Sequence, residues 1–422
     1  VPASETEAMH YTATLNKVAG NATFWDGTPV AGMENGWEGM YDDGVAGTTN
    51  VRFIVTEVGN QGGTNKLSPF DGSNITSVKI PVEVTEFAEN ALFTDDGMTV
   101  TGVDFRVATE IGESAFFGVT FESTENNCVF EFNCNPKEYA FYDAKFPANT
   151  TVWLKSNVTS LKESVFGHEE TNPDYTLATV RLSGSIGVKE VGDYAFENRA
   201  GLTTFGYYNN NGTYYLPASL YKVGNHAFEN TAIENFDFAD NDLNAEGEMP
   251  RITKIGDYAF KGCNWMNNET FANVCGTFAD IEYYGKGSFQ NCDFGGTLDL
   301  RGSKVKVSRF DGAKEIYSGK LGVPENAFAG NNITTVLLND DFEVIQKGAF
   351  QANPGLKIPN VLPSNLWRID ANAFSTKLDF AAVPVFEDAG LNVFVQDALY
   401  LPKKLRIVES NAFAYRYIKN VY

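Results

Sequence analysis

Histidine, cysteine and acidic side chains perform most acid–base and nucleophilic chemistry, and in this chain of 422 residues they give little sign of a catalytic site. His10 and His168 lie in polar segments, while His226 occupies a variable position of a repeated phrase. The signatures G-x-S-x-G and H-E-x-x-H, the Walker motif and the dinucleotide-binding motif are not found. Neighbouring carboxylates are frequent, but 54 acidic residues produce such pairs by chance. The sequence therefore predicts a protein that is not an enzyme.

Residues 240–248 are the strongest sequence candidate for a metal site, because they begin with the alternating oxygen ligands of an EF-hand loop. The sixth position of that loop is Ala245 and the twelfth is Arg251, where an EF-hand needs Gly and Glu. The EF-hand interpretation fails, which leaves a looser surface calcium site or a plain solvated loop. We predict no metal ion and no cofactor.

The cysteines are too few for a scaffold held together by disulfides, since there are 5 in the chain. Cys263 and Cys292 each follow the Phe of a repeated phrase by three residues, so we expect both to be small buried side chains in a ladder. Cys128 and Cys134 are near enough to form a bridge, and the sequence leaves open whether they do.

Aromatic residues in insertions between repeats are the sequence candidates for ligand binding. Tyr207, Tyr208, Tyr214 and Tyr215 flank an Asn-Gly turn, which is typical of a hairpin tip. Tyrosine and asparagine suit recognition because they combine rigid contact area with adaptable hydrogen bonds. The alternative is that the tyrosines pack across their own hairpin. Trp265 lies in a later insertion and is the fifth candidate.

These candidates depend on a six-residue phrase that recurs along the chain: an aliphatic or aromatic residue, three mostly polar residues, a small residue and Phe. Clear copies are Ile111–Phe116, Val191–Phe196, Val223–Phe228, Ile255–Phe260, Ile345–Phe350, Ile369–Phe374 and Val408–Phe413. Degenerate copies are Phe87–Leu92, Pro136–Phe141, Leu161–Phe166, Tyr284–Phe289 and Val323–Phe328. The closest copies lie about two dozen residues apart, within the ~20–29 of leucine-rich repeats. The spacing predicts a solenoid of about twelve repeats.

A second phrase, L-P-x-x-L-x-x-I, precedes the first in a fixed register at Leu216–Val223, Leu362–Ile369 and Leu401–Val408, and as a variant at Ile80–Phe87. Before it come alternating segments such as Leu177–Leu182 and Ile333–Leu338, whose period of two indicates half-buried strands. Each repeat is thus predicted to contain a short strand, a second extended piece and one turn of helix. The phenylalanines of successive repeats should point inward and stack.

The two phrases in register resemble the BspA-like leucine-rich repeat family, over about residues 75–422. The resemblance implies a leucine-rich-repeat solenoid and a surface-exposed or secreted protein of host-associated bacteria or some protists. Several members act as adhesins for host proteins, and the family supplies no catalytic residues. We therefore predict an adhesin or interaction scaffold whose partner is a host extracellular protein or glycan. A structural envelope component without a specific ligand is the alternative.

Residues 1–74 do not fit the repeat, and we interpret them as a β-rich N-terminal cap, with a separate binding domain as the alternative. The net charge of -22 repels nucleic acid and anionic membranes, so neither is a predicted partner. No apolar run reaches the ~18 residues of a membrane span. Because the first methionine is Met9, we expect a trimmed or processed chain with an extracellular or surface location after removal of a leader.

Overall fold

In most repeats a strand ends on the first residue of the six-residue phrase. The computed structural model describes residues 57–58, 77–80, 84–93, 97–123, 128–155, 157–169, 177–184, 187–208, 213–239, 243, 247–376 and 395–422. Their strands, in chain order, are β1 (Glu57–Val58), β2 (Ser77–Lys79), β3 (Glu86–Phe87), β4 (Thr99–Thr101), β5 (Glu110–Ile111), β6 (Thr120–Phe121), β7 (Val129–Phe132), β8 (Thr150–Leu154), β9 (Leu177–Leu182), β10 (Glu190–Val191), β11 (Thr204–Tyr208), β12 (Tyr214–Tyr215), β13 (Lys222–Val223), β14 (Lys254–Ile255), β15 (Tyr283–Tyr284), β16 (Gly295–Asp299), β17 (Lys306–Asp311), β18 (Lys314–Val323), β19 (Asn332–Leu337), β20 (Val344–Ile345), β21 (Arg368–Ile369), β22 (Val395–Leu399), β23 (Ile407–Val408) and β24 (Tyr417–Val421).

The chain divides into two compact units. The first comprises Val1–Val188 and Ala195–Tyr214, and the second Lys189–Tyr194 and Tyr215–Tyr422. Sheets of the first unit have the orders β1-β3-β5, β2-β4-β6 and β11-β9-β8-β7. Those of the second have the orders β10-β13-β14-β15, β16-β19, β17-β18-β20-β21-β23 and β22-β24. Parallel pairing from one repeat to the next, with about 12 turns in all, confirms the predicted solenoid.

The predicted helical turn in each repeat is wrong. Among the described residues the α-helix is confined to α1 (Asn268–Cys275), which lies in the insertion that carries Trp265. The reason is the fourth residue of the phrase, which is left-handed in every copy, with φ between 51° and 62°, and therefore cannot continue a right-handed helix. These residues are Asn90, Ser114, Tyr139, Ser164, Tyr194, His226, Tyr258, Gly287, Asn326, Gly348, Asn372 and Asn411.

Two overlapping β-turns replace the helix. In the second copy, Ala115 donates to the carbonyl oxygen of Gly112 at 3.3 Å, and Phe117 donates to that of Ser114 at 3.2 Å. The left-handed residue turns its amide toward the next repeat, so that Ser114 N–H donates to Glu138 at 3.1 Å. Phe116 N–H likewise donates to Ala140 at 2.8 Å. The turns therefore form a backbone ladder of their own alongside the strands.

The phrase phenylalanines stack on one another, as predicted, and all of them except the half-buried Phe413 are fully buried. In the first unit, Phe141 lies 5.1 Å from Phe116 and 5.3 Å from Phe166 between ring centroids, with interplanar angles of 7° and 12°. In the second unit, Phe260 lies 6.0 Å from Phe228 at 1° and 6.1 Å from Phe289 at 12°. Further stacks of the second unit join Phe328, Phe350, Phe374 and Phe413. Each ring completes the core of its neighbour, so single repeats cannot bury their own.

The third residue after the Phe provides a hydrogen-bond donor for a buried backbone carbonyl in this core. Its side chain donates a hydrogen bond to the carbonyl of the Phe one repeat earlier: Arg199 to Phe166, Cys263 to Phe228, Cys292 to Phe260, Asn331 to Phe289, Asn353 to Phe328 and Arg416 to Phe374. A buried carbonyl oxygen without a hydrogen-bond partner lowers the stability of the fold. This explains why hydrogen-bond donors occupy the third position after the Phe although that position is buried. The prediction that Cys263 and Cys292 are buried in a ladder is confirmed.

Candidate functional site

The largest regular surface of the first unit is the outward face of β7, β8, β9 and β11. These strands alternate in burial, so that Phe130, Val152, Val180 and Phe205 point inward, in register with one another. The residues between them form outward rows across the sheet. A parallel sheet aligns these rows because neighbouring strands share one register.

One outward row contains Glu131, Trp153, Arg181 and Gly206, which pair in that order across the four strands. Trp153 donates from Nε1 to the hydroxyl of Ser183 at 3.2 Å, which fixes the ring. Gly206 places no side chain beside Arg181. Gly206 is itself buried, and the neighbouring ring of Arg181 on this side is Tyr208.

Cations and aromatic rings alternate across this face. The Arg181 guanidinium carbon lies 4.1 Å from the Trp153 ring centroid and 5.4 Å from that of Tyr208. Lys155 Nζ lies 2.9 Å from the Trp153 centroid, and the Tyr208 and Tyr214 centroids are 5.0 Å apart. We refer to Lys155, Trp153, Arg181, Tyr208 and Tyr214 as the aromatic–cation row. Cation–π contacts of this kind hold long basic side chains in fixed positions.

A second outward row contains Val129, Thr151, Thr179 and Thr204 in register. Val129 is 52% exposed, and the three threonines are half-buried. Their hydroxyl groups lie beside the aromatic–cation row on the same face. The face thus combines rings, positive charge and neutral hydrogen-bonding groups.

The structure brings together two of the five candidate residues predicted from the sequence. Tyr208 and Tyr214 form the end of the aromatic–cation row, and Tyr208 is 47% exposed. Burial raises the pKa of the Tyr214 hydroxyl. Tyr207 pairs with Leu182 in the inward register and is 9% exposed, so it belongs to the core side of β11. Tyr215 is half-buried and belongs to the second unit. The Asn-Gly tip at 211–212 lies outside the described residues.

Trp265 lies in the second unit and packs against the core. Its ring centroid is 4.9 Å from that of Phe236 and 5.7 Å from that of Phe260, and Nε1 donates to the carbonyl of Thr231 at 3.0 Å. Its half-buried ring serves to close the core beside α1. Most of the calcium candidate at 240–248 lies outside the described residues.

Trp153, Arg181 and Lys155 are the residues of the site that sequence reasoning missed. They were detectable in principle, since Leu177–Leu182 alternates, so that Thr179 and Arg181 must face outward when Val180 faces inward. What the sequence does not show is that β8 and β9 pair with Trp153 opposite Arg181. That register depends on the insertion lengths between the strands.

A second column of rings lies on the turns of the second unit. The His226 ring stacks on Tyr194 at 4.6 Å and 13°, and lies 4.9 Å from Tyr258 at 42°. Its Nδ1 is 2.5 Å from Oε2 of Glu229, and the other carboxylate oxygen, Oε1, accepts from Lys261 Nζ at 2.6 Å. His226 is therefore more than an exposed turn residue, because it pairs with a buried carboxylate.

Burial by itself raises the pKa of Glu229, but the hydrogen bonds from His226 and Lys261 outweigh it and lower the pKa below its usual value. The carboxylate is thus held ionised within the turns. Both of its partners lie in the same unit.

The second unit also contains a buried ion network under the β17–β18 hairpin. Asp370 accepts from Arg368 Nε at 2.5 Å and from the Tyr317 hydroxyl at 2.8 Å, and it forms an ion pair with Arg309 Nη1 at 2.7 Å. Arg309 also donates to both oxygens of Glu409 at 2.9 Å. Beside it lies a cleft of about 420 Å³, lined by Lys286, Lys306, Glu325 and Lys347 among others. Because these contacts satisfy the Asp370 carboxylate from several sides, the network anchors the hairpin.

The cysteine side chains are free thiols, including Cys128 and Cys134. Burial raises the pKa of Cys134 to about 11 and that of Cys263 to about 12. A thiol with such a pKa is almost entirely protonated at neutral pH and is a poor nucleophile.

The BspA type Leucine rich repeat region matches more than half of the chain, at residues 66–203, 137–248, 176–309 and 315–400. The fold and the repeat define a leucine-rich-repeat solenoid. The chain belongs to the BspA-type leucine-rich repeat family. No curated protein matches it.

The solved structures to which the chain is similar come from several bacteria. A leucine rich cell surface protein from Faecalibacterium prausnitzii has 16% identity and a TM-score of 0.45, over 82% of this chain and 88% of that one. A leucine-rich repeat protein from Bacteroides ovatus has 15% identity and a TM-score of 0.41, over 88% and 92%. The Pneumococcal vaccine antigen PcpA has 14% identity and a TM-score of 0.39, over 83% and 79%. Among the described residues, no helix has the length and apolar character needed to cross a membrane.

Proposed function

We propose that this protein is a non-enzymatic binding protein of the cell surface or of the secreted fraction. It recognises a host protein or glycan through the outward face of β7, β8, β9 and β11. The observation that supports this proposal most is the aromatic–cation row, which places Trp153, Arg181 and Tyr208 on one regular face. Aromatic residues and arginine are the side chains enriched at recognition surfaces.

Family membership and the character of the repeat support the same function. Repeat proteins of this kind present extended surfaces, and here the core needs all of the stacked phenylalanines while the outward rows remain free to vary. The sheet face lies in consecutive repeats, and the insertion after Phe196 carries Tyr208 and Tyr214. Insertions between repeats often emerge on a binding face.

The test is attachment of the purified protein to host cells and to immobilised extracellular matrix. Replacing Tyr208 and Tyr214 together by Ser should weaken attachment while leaving the melting temperature nearly unchanged, because both rings lie at the surface end of the row. The matched control replaces Tyr283 and Tyr400, exposed tyrosines of the second unit, by Ser. If attachment survives the replacement of Tyr208 and Tyr214 but is lost when residues 1–74 are altered, the N-terminal segment is the binding site. Self-assembly without any ligand would favour a structural envelope component.

A further inference from the structure

We propose that Arg181 is a receptor for the acidic group of a saccharide, a carboxylate or a sulfate ester, bound on the outward sheet face of the first unit. This inference rests on the proposed function and specifies its ligand class. It concerns one side chain and its surroundings, so it can fail while the proposed function stands.

Arg181 differs from the other arginines in its partners. In the described part of the chain, Arg106, Arg251, Arg301, Arg309 and Arg368 pair with carboxylates, while Arg199, Arg406 and Arg416 donate to backbone carbonyls. Arg181 alone among them makes only ring contacts, at 4.1 Å to Trp153 and 5.4 Å to Tyr208. Its N–H donors are therefore available to a ligand.

The neighbouring cation shows that this is a property of Arg181 and not of the whole row. Lys155 also contacts the Trp153 ring, but its ammonium group is 3.0 Å from Glu131 and so already has a counter-charge. Arg181 pairs in the register with Gly206, which has no side chain that could neutralise it. Arg181 is therefore the one cation of the row without a carboxylate partner.

The contacts with the rings prepare the guanidinium for an anion. A guanidinium is planar, and its forked donors match the two oxygens of a carboxylate or a sulfate. Aromatic contact restricts its rotation, so less entropy is lost when the ligand binds. Stacked arginine is also weakly hydrated, which lowers the cost of bringing an anion to it.

The rest of the face suits a saccharide better than an acidic peptide. Thr151, Thr179 and Thr204 provide a row of hydroxyl groups that can donate to and accept from sugar hydroxyls. The exposed ring of Tyr208 offers an apolar surface next to Arg181. An acidic peptide would meet the same arginine, but its other carboxylates would face the net charge of -22.

The experiment measures binding of the full chain to sialyllactose, to lactose and to a sulfated glycosaminoglycan disaccharide with its unsulfated parent, by saturation-transfer NMR and calorimetry. We expect the acidic sugars to bind and the neutral parents to bind at least about tenfold more weakly, as expected for a charge-assisted hydrogen-bonded pair. The two acidic probes distinguish a carboxylate from a sulfate. Arg181→Gln should lower the affinity for the acidic sugars by about the same factor. Arg181→Lys should have an intermediate affinity, because lysine keeps the positive charge without the forked donors.

Arg301→Gln, which removes an exposed arginine of the second unit, should leave binding unchanged. Equal binding of acidic and neutral sugars, no binding of either acidic probe at millimolar concentration, or tighter binding of a hexaglutamate peptide would each overturn the proposal. These comparisons use the native protein, so they stand even if Arg181→Gln fails to fold. If Tyr208→Ser with Tyr214→Ser weakens host attachment while Arg181→Gln does not, the proposed function is supported and the proposal of an acidic ligand at Arg181 is wrong.

Discussion

Asn353 donates a hydrogen bond from Nδ2 to the carbonyl oxygen of Phe328, 25 residues earlier, at 2.8 Å. The same amide donates to Phe350 at 3.1 Å, and its oxygen accepts from the backbone N–H of Ile333 at 3.0 Å. One fully buried side chain thus joins neighbouring repeats at the point where the Phe stack leaves carbonyls without a strand partner. Equivalent donors recur in both units, so this contact is part of the repeat.

Asn353→Ala should therefore lower the free energy of unfolding by about 3 kcal/mol, because it leaves several buried backbone groups unsatisfied. The measurement is urea denaturation followed by fluorescence. Asn264→Ala, an exposed asparagine of the same unit, is the control and should change the free energy by less than about 0.5 kcal/mol. Similar small effects at both positions would show that the carbonyls find other partners.

Phe260→Ala should cost about 3–5 kcal/mol, because it opens a cavity between two stacked rings. Phe260 is fully buried and lies between Phe228 and Phe289. The control is Phe310→Ala, since Phe310 is 56% exposed on β17. Thermal melts compare the two variants, and an equal shift in melting temperature would contradict the stacked core.

Gly256→Ala should destabilise the second unit by about 1–3 kcal/mol through overpacking. A Cβ at this position would lie 2.4 Å from the backbone nitrogen of Asn225 and 2.5 Å from the carbonyl carbon of Gly224. These backbone atoms of the preceding repeat cannot rotate away, so the two repeats would have to separate. Gly184→Ala meets nothing within 4 Å and should be tolerated in the same denaturation assay. Equal tolerance of both changes would mean that the repeats slide freely past one another.

Stability should fall in acid because of Glu229. Its pKa is lowered in the folded state from the model-compound value of 4.5, so the unfolded chain binds more protons as the pH falls. The stabilisation by this carboxylate is therefore present above about pH 4.5 and is lost as the pH falls through the lower folded pKa. Glu229→Gln should destabilise at pH 7 and show a shallower loss of stability between pH 5 and pH 3.

The control for this acid titration is Glu269→Gln, which changes an exposed carboxylate at the start of α1. Its pH dependence should follow that of the unchanged protein. If Glu229→Gln retained the full acid dependence, other carboxylates would be responsible for it.

The sequence by itself determined the repeat, its register and the inward phenylalanines. This was possible because stacked repeats place equivalent residues in equivalent environments. The same buried residue types therefore recur at a regular spacing, which is visible in a single sequence. Leu177–Leu182 shows the same principle, since alternation in one strand fixes which side chains face the core. The family followed from these local patterns.

Only the tertiary structure decided the turn and the site. The phrase V-G-D-Y-A-F fits a helical turn by spacing, but the amide of Tyr194 bonds to Asn225 in the next repeat, which holds Tyr194 in the left-handed region. Tyr207 and Tyr208 are adjacent in sequence, yet the register of β11 against β9 sends the first toward the core and the second outward. Trp153 and Arg181 meet because β8 and β9 pair across an insertion, and such long-range pairing leaves no local signal in the chain.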